Sequence, residues 1–339
     1  MTGKDNHPLG IFAGKSNAEY HGGPGTSKSG LDIVRRSLAH FKHARDEREA
    51  GVEREETAAM RVGSAEHGIL LEPGQFEKEF ALPFDASEWP DALATTYDLK
   101  ARLKEYELAV SGTKPKLIER LREADPSVQI LDDLKAMHAE DAAGKTILTP
   151  AQWRDVIGMR DAAMSHPKMH KLLTDPRGKA ELSAYWRDEA TGLLCRCRPD
   201  LWVGDVVFDL KTTDDARESA FERSIDKFRY YVQAPFYLDG LRKAIEQSGE
   251  PLPEGLKVPK HFVFGAVEKK PPYLTAVYVL DPVSMEIGRR EIGEDLSALA
   301  DAIGRDDWPG YPRDIRPIGL PAWRTRQEEF NTDEGVYVA

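Results

Sequence analysis

Residues 195–213 read CRCRPDLWVGDVVFDLKTT, and five charged side chains fall inside what patterns as two strands: Arg196, Arg198, Asp200, Asp209 and Lys211. Gly204-Asp205 suits a two-residue turn with glycine in the first central position. That turn sets Val203 opposite Val206, Trp202 opposite Val207, Leu201 opposite Phe208, Asp200 opposite Asp209 and Arg198 opposite Lys211. Side chains alternate along a strand, so the five charged residues share one face, and Cys195, Cys197, Leu201, Val203 and Phe208 share the other, the expected core face. Two acids directly opposite each other destabilise a ladder. A bound divalent cation reverses the sign, because Mg²⁺ takes oxygen ligands from one or two carboxylates, keeps several waters and contacts substrate phosphate. Lys211 would then lie beside the metal, able to orient the attacking water and offset charge on the phosphate. The chemistry that follows is metal-activated hydrolysis of a phosphodiester. The competing explanation is a solvated face of cross-strand ion pairs.

Composition allows such an enzyme. The chain has 339 residues, 40% hydrophobic and 31% charged, which suits a globular protein of one large domain or two modest ones. The longest apolar runs are a few residues, too short to span a bilayer. The opening MTGKDNHPLGIFAGKS lacks the continuous apolar core of a signal peptide. The two cysteines, at i and i+2, are poorly placed for a disulfide and too few for a four-thiolate metal site. A reducing cytoplasm with the cysteines as small core residues is expected. A net charge of −11 argues weakly against nucleic acid, whose phosphates want Lys and Arg. A nuclease with an acidic metal site and its basic groups confined to one channel is acidic overall, so net charge decides little.

The elements that must position the charged residues read as follows. The Gly/Ser/Pro-rich opening to about residue 30 is loop. Helical patterns cover 31–48 and 55–71, the second stopped by Pro73-Gly74. Residues 96–124 hold two short amphipathic helices around Ser111-Gly112, and a polar, partly helical stretch runs on to about 176. Strand periodicity takes over from 180 to 213. A helix over 216–247 places Tyr230, Gln233, Tyr237 and Leu241 on one face. Gln233 is the anomaly in that aromatic stripe, since a buried amide needs partners. A second hairpin spans 261–280, turning at Lys270-Pro271, and a helix follows over about 283–304. The order predicts an α/β (α+β) fold, a mixed central sheet flanked by helices.

Pro199-Asp200 followed by Asp209-Leu210-Lys211 matches the PD-(D/E)xK nuclease signature, a weak string alone. ELSAYWRDEATGLLCRCRPD, DLKTTDDA, FRYYVQAPFYLDG, EYHGGPGTSKSGL and MRVGSAEHGILLEPGQF together resemble the exonuclease VIII (RecE-like) family of phage and prophage nucleases. The resemblance covers most of 15–90 and 150–325. It implies a PD-(D/E)xK, restriction-endonuclease-like core. It implies Mg²⁺, with Mn²⁺ substituting, held by Asp200, Asp209, the Leu210 carbonyl and His67, with Lys211 as the catalytic lysine. Gln233 matches a glutamine that closes the active site, with Tyr230 one helical turn back as a DNA contact. Glu181 matches an acid placed just before the catalytic strands, either a second metal contact or a structural hydrogen bond. Arg196 and Arg198 either contact DNA phosphate or neutralise the acids, with Arg198 the better candidate for DNA. Ser27, Lys28 and Ser29 sit in a loop suited to holding a 5′-phosphate. The family digests one strand of duplex DNA from the 5′ end and leaves a 3′ overhang. It assembles as homo-oligomeric rings and hands the overhang to a RecT-like single-strand annealing recombinase in the bacterial cytoplasm.

One segment departs from that family. YDLKARLKEYELAVSGTKPKLIERLRE resembles a SAP motif, which implies duplex contacts from Thr113, Lys114 and Lys116; a spacer or ring contact is the alternative. The expected layout is an N-terminal nuclease part over 1–90, the SAP-like insert over 95–126 and the nuclease core over 145–339. Three activities compete: a Mg²⁺-dependent 5′→3′ duplex exonuclease, an endonuclease or end-trimming enzyme on the same fold, and a non-catalytic DNA-binding protein with a relict nuclease fold.

Overall fold

The structure is a computed structural model that describes residues 7–52, 57–322 and 324–325. Its strands are β1 (Gly10–Phe12), β2 (Phe80–Ala81), β3 (Thr146–Ile147), β4 (Lys179–Ala180), β5 (Ser183–Arg187), β6 (Leu194–Cys197), β7 (Leu201–Val203), β8 (Val206–Thr213), β9 (His261–Glu268) and β10 (Thr275–Tyr278). The central sheet is five-stranded and mixed, in the order β10-β9-β8-β7-β4. Only β8 and β9 run parallel within it. Parallel neighbours need a crossover, and here the helices Glu218–Lys227 and Tyr230–Ser248 supply it.

The β7–β8 hairpin has the register its turn dictates: Val203 pairs with Val206, Trp202 with Val207 and Leu201 with Phe208. Gly204 adopts φ +55°, a conformation that a side chain would strain. The hairpin ends there, however, and does not continue to Arg198. Residues 198–200 lie outside any strand. Proline has no N–H for a ladder, so Pro199 breaks the pairing, and β6 joins a separate three-stranded sheet of order β1-β5-β6. Neither the expected Asp200–Asp209 pairing nor the Arg198–Lys211 pairing is therefore part of a ladder.

The expectation of a single core face also fails, because this sheet is covered on both sides. Trp202, Val207 and Phe264 pack on one face with Cys195, Cys197 and the helix Tyr230–Ser248. Leu201, Phe208 and Leu210 pack on the other with Ala65, Val156 and Met159. A central strand flanked by helices on both faces has no solvated side, so its residues are apolar in both parities. The cysteines belong with Trp202, not with Leu201, and both thiols are free and buried.

The flanking helices are more broken than their patterns suggest. The 31–48 pattern is two helices, Lys28–Arg36 and Leu38–Glu49, separated by extended Ser37, whose hydroxyl accepts from His40 N. Pro73 does not stop structure after the helix Ala58–Leu71; it opens the short helix Pro73–Glu79, using proline's fitness for the first helical turn. The 216–247 pattern divides at Arg229, which takes a left-handed φ of +52°. Its guanidinium bonds to Asp295 at 2.7 Å, Glu291 at 2.9 Å and Asp32 at 3.2 Å, tying the start of the Tyr230–Ser248 helix to the helix Pro282–Arg305.

Residues 93–130 make a small unit with its own core of Leu93, Leu99, Leu103, Leu117, Leu121 and Ile130. Its helices are Thr96–Glu105 and Lys114–Ala124. A parallel bridge between Leu93 and Ile130 clips its two ends together. Among the described residues, no helix is long and apolar enough to cross a membrane.

Candidate active site

On β8, Val207, Asp209 and Lys211 point toward the face covered by the Tyr230–Ser248 helix, while Phe208 and Leu210 point away. Asp209 is 1% exposed. Gln233 Nε2 donates to its Oδ1 at 2.6 Å, so the amide that stood out in the aromatic stripe has an acid as its partner. Lys211 Nζ lies 2.6 Å from Asp209 Oδ2 and 4.8 Å from the centre of the Tyr230 ring. Asp209 Oδ2 is buried, and the Lys211 ammonium is the group it meets.

Asp200 sits just before β7. Its Oδ2 accepts from Leu210 N at 2.7 Å and lies 3.2 Å from His67 Nε2. His67 comes from the helix Ala58–Leu71 on the other side of the sheet. Its Nδ1 lies 3.0 Å from Gly63 O and its Nε2 lies 3.1 Å from Leu210 O. A neutral ring donates once. With Nδ1–H given to the Gly63 carbonyl, the Nε2 lone pair points at a carboxylate and a carbonyl, three electron-rich atoms converging. Such a cluster is stable only with a cation in it, either a proton on the ring or a metal ion. In the metal-free protein the proton serves: burial opposes charge on His67, but Asp200 outweighs it and lifts the imidazole to about 10.

The two acids are pushed apart electrostatically. Burial raises Asp209, and Asp200 adds to the rise against the pull of Lys211. Asp200 is held low, because His67 and Lys211 overcome its burial. The two carboxyl groups are thus shifted in opposite directions, Asp209 up and Asp200 down.

Glu181 takes φ +53°, and its backbone N–H donates to the Asp200 carbonyl at 3.2 Å, fixing the turn that presents Asp200. Burial and then Asp200 push its carboxyl upward. Arg196 and Arg198 do not face the acid pair. Arg196 is 3% exposed and gives its guanidinium to the carbonyls of Tyr20, His21 and Gly23. Arg198 is bonded to Ser183 Oγ, Asn17 Oδ1 and Lys15 O, and its nearest acid is Glu181, at 3.8 Å. Both guanidiniums lie over the Tyr20 ring, so the pair pins the short helix Asn17–Gly22, in an opening expected to be loop, to β6 and leaves Arg198 turned to protein groups.

Ser27 caps the helix Lys28–Arg36, accepting from Gly30 N, and its hydroxyl meets that of Ser29 at 2.8 Å. Lys28 pairs with Asp32 at 2.8 Å and lies 5.8 Å from the Tyr230 ring centre, so that ring stands near two ammonium groups. Thr113, Lys114 and Lys116 belong to the separate helical unit. Lys114 is tied to Asp132 at 2.6 Å and to Ala94 O, while Thr113 and Lys116 are exposed.

Glu66 was not singled out by sequence reasoning. It is fully buried, and both of its carboxylate oxygens lack hydrogen-bond partners. The signal was available: Val62, Glu66, Ile69 and Leu70 fall on the apolar stripe of their helix, and a carboxylate in that stripe is out of place.

Among the described residues, no three His, Cys, Asp or Glu side chains form a ready-made metal cage. The donor set still fits a hard divalent ion: a buried oxygen on Asp209 that meets only Lys211, a carboxylate on Asp200, the Leu210 carbonyl and an imidazole lone pair.

Comparison with known proteins places this geometry. The family described as a PDDEXK-like domain of unknown function (DUF3799) matches residues 27–316, most of the chain. The protein belongs to that family. A DUF3799 chain carries the PD-(D/E)xK nuclease core, and Pro199-Asp200 with Asp209-Leu210-Lys211 is where this one holds the signature. The fold is also that of a crystal structure of a candidate exonuclease from Eubacterium rectale, with a TM-score of 0.52 and 12% identity over 93% of this chain and 98% of the other. No curated protein matches the DUF3799 chain.

Proposed function

We propose that the protein is a Mg²⁺-dependent 5′→3′ exonuclease of duplex DNA that leaves 3′ single-stranded overhangs. The observation that carries the reading is the convergence of Asp209 Oδ2, Asp200, the Leu210 carbonyl and His67 Nε2 beside Lys211. Asp200, Asp209, Leu210 O and His67 would hold Mg²⁺ or Mn²⁺. When bound, the ion supplies positive charge for the scissile phosphate and acidifies a water molecule.

The protein groups do the rest. Gln233 fixes one oxygen of Asp209, so the other keeps its direction. The Gly63 carbonyl fixes the His67 tautomer. Lys211, held between Asp209 and the Tyr230 ring, orients the attacking water and offsets charge building on the phosphate. Lys28, near the same ring and backed by Ser27 and Ser29 at a helix N-terminus, suits the 5′-phosphate. Glu181 acts through the Asp200 turn.

The resemblance to exonuclease VIII-like enzymes supports the polarity, a homo-oligomeric ring, a RecT-like annealing recombinase as partner, and work in a bacterial cytoplasm. In the layout 1–90, 95–126 and 145–339, the middle SAP-like unit grips duplex ahead of the cut through Thr113 and Lys116, with Lys114 shaping that helix start.

The test is a linear duplex labelled at one 5′ end beside a covalently closed circle, with Mg²⁺, Ca²⁺ or EDTA. Release of label with Mg²⁺ alone and an intact circle is expected. A nicked or linearised circle would favour an endonuclease. Cleavage surviving both Asp209→Ala and Lys211→Ala would refute the site.

A further inference from the structure

Glu66 is a charged group with no assigned task in a place where charge is costly. It lies in the helix that delivers His67, it is fully buried, and neither oxygen accepts a hydrogen bond. An isolated buried carboxylate is strongly disfavoured unless compensating charge is close. Its Oε2 lies 3.5 Å from His67 Nδ1, on the side of the ring opposite the Asp200 and Leu210 contacts.

We propose that Glu66 is a positioning residue for metal binding, acting through His67: the Gly63 carbonyl accepts the Nδ1 proton, the Glu66 carboxylate 3.5 Å from Nδ1 polarises that N–H by its charge, and the ring offers Nε2 to the cation. Carboxylate–histidine–metal arrangements of this kind hold the tautomer and make the ligating nitrogen more basic. A charge count supports the assignment. Asp200, Asp209, Lys211 and a divalent ion with neutral His67 sum to one positive charge, and Glu66 brings the sum to zero.

This inference rests on the metal-dependent reading above, and its test separates the two. Mn²⁺ binding to the full chain is measured by titration calorimetry without DNA, together with thermal melting in EDTA. Loss of a second-layer partner typically weakens metal binding roughly 10–100-fold. Glu66→Gln is therefore expected to weaken Mn²⁺ by about that factor while the variant still melts as a folded protein in EDTA. Glu66→Asp, which keeps the charge, should recover part of the affinity. Should Glu66→Gln fail to fold, Glu66→Met provides the same comparison. Unchanged Mn²⁺ affinity in Glu66→Gln, with His67→Ala and Asp209→Ala losing binding, overturns the role of Glu66 and leaves the nuclease reading intact. Loss of folded protein in EDTA for both neutral variants, with Glu66→Asp restoring it, would show a purely structural role and also overturn the proposal. If none of the three site variants alters Mn²⁺ binding, the metal reading itself falls.

Discussion

Arg229 joins the architecture to the chemistry, and Arg229→Met measures that link. The side chain is 12% exposed and its partner Asp295 is 4% exposed. Removing the guanidinium strips Asp295 of its 2.7 Å bond, Glu291 of one at 2.9 Å and Asp32 of one at 3.2 Å. Breaking a buried ion pair from one side costs about 3–5 kcal/mol. The low end applies, because Asp295 keeps Arg35 at 3.0 Å and its carboxyl, already raised by burial against the pull of both arginines, can take a proton. Methionine pays the same left-handed backbone cost as arginine at φ +52°, so the difference isolates the guanidinium. At roughly 2 °C per kcal/mol for a chain of this size, about 3 kcal/mol lowers the melting temperature by about 6 °C. Adding Asp295→Asn removes the stranded acid and should restore most of that loss. The functional arm follows from position: Tyr230 and Gln233 lie in the first turn of the helix that Arg229 anchors, so turnover should fall at temperatures where the variant is fully folded. Calorimetry and label release from the same preparations decide it. A melting temperature within about 1 °C of the parent, or no recovery when Asp295→Asn is added, refutes the account of the network.

Gln233→Leu removes the donor to Asp209 and should lower turnover by the equivalent of about 1–3 kcal/mol, with little change in DNA binding in Ca²⁺ measured by anisotropy. Asp188 has a depressed carboxyl pKa: burial opposes this, but hydrogen bonds from Thr191 and Lys243 win. Its stabilising contribution is therefore present above its ordinary value of 3.8 and lost as pH falls through the depressed one. Asp188→Asn should melt lower than the parent at pH 7 and converge with it toward pH 3, as read by melting curves across that range. Gly288 lets two helices meet closely: a Cβ there would stand 2.0 Å from the Tyr231 carbonyl oxygen. Gly288→Ala should cost about 1–3 kcal/mol in denaturant unfolding. Lys116→Glu, exposed in the small helical unit, should weaken duplex binding and flatten its salt dependence while sparing the melting temperature.

What could be read from the chain beforehand follows a physical divide. The β7–β8 register was legible because a two-residue turn and a period of two leave one pairing. Gln233 was legible as an amide in an apolar stripe. The departure of β6 into a second sheet was not, since Pro199 signals a break but not where the chain goes next. Arg196 and Arg198 lost their assumed place for that reason, and apart from Ser183 their hydrogen-bond partners come from residues more than a hundred and fifty positions away. The division at Arg229 was hidden because no glycine marks the left-handed residue; three carboxylates from distant helices hold it. Glu66 was legible in the same way as Gln233, as a polar group on the apolar stripe of its helix.

The bridge between Leu93 and Ile130 means that the small helical unit enters and leaves the main body at one point. Its leucine core is shared with nothing else, so the enzyme is built as a body with a detachable attachment. Excising the stretch between those two positions and joining them with a few flexible residues asks the remaining chain to span only neighbouring backbones. The small unit and the body that carries the acid pair can then be altered separately, in the laboratory and over descent alike.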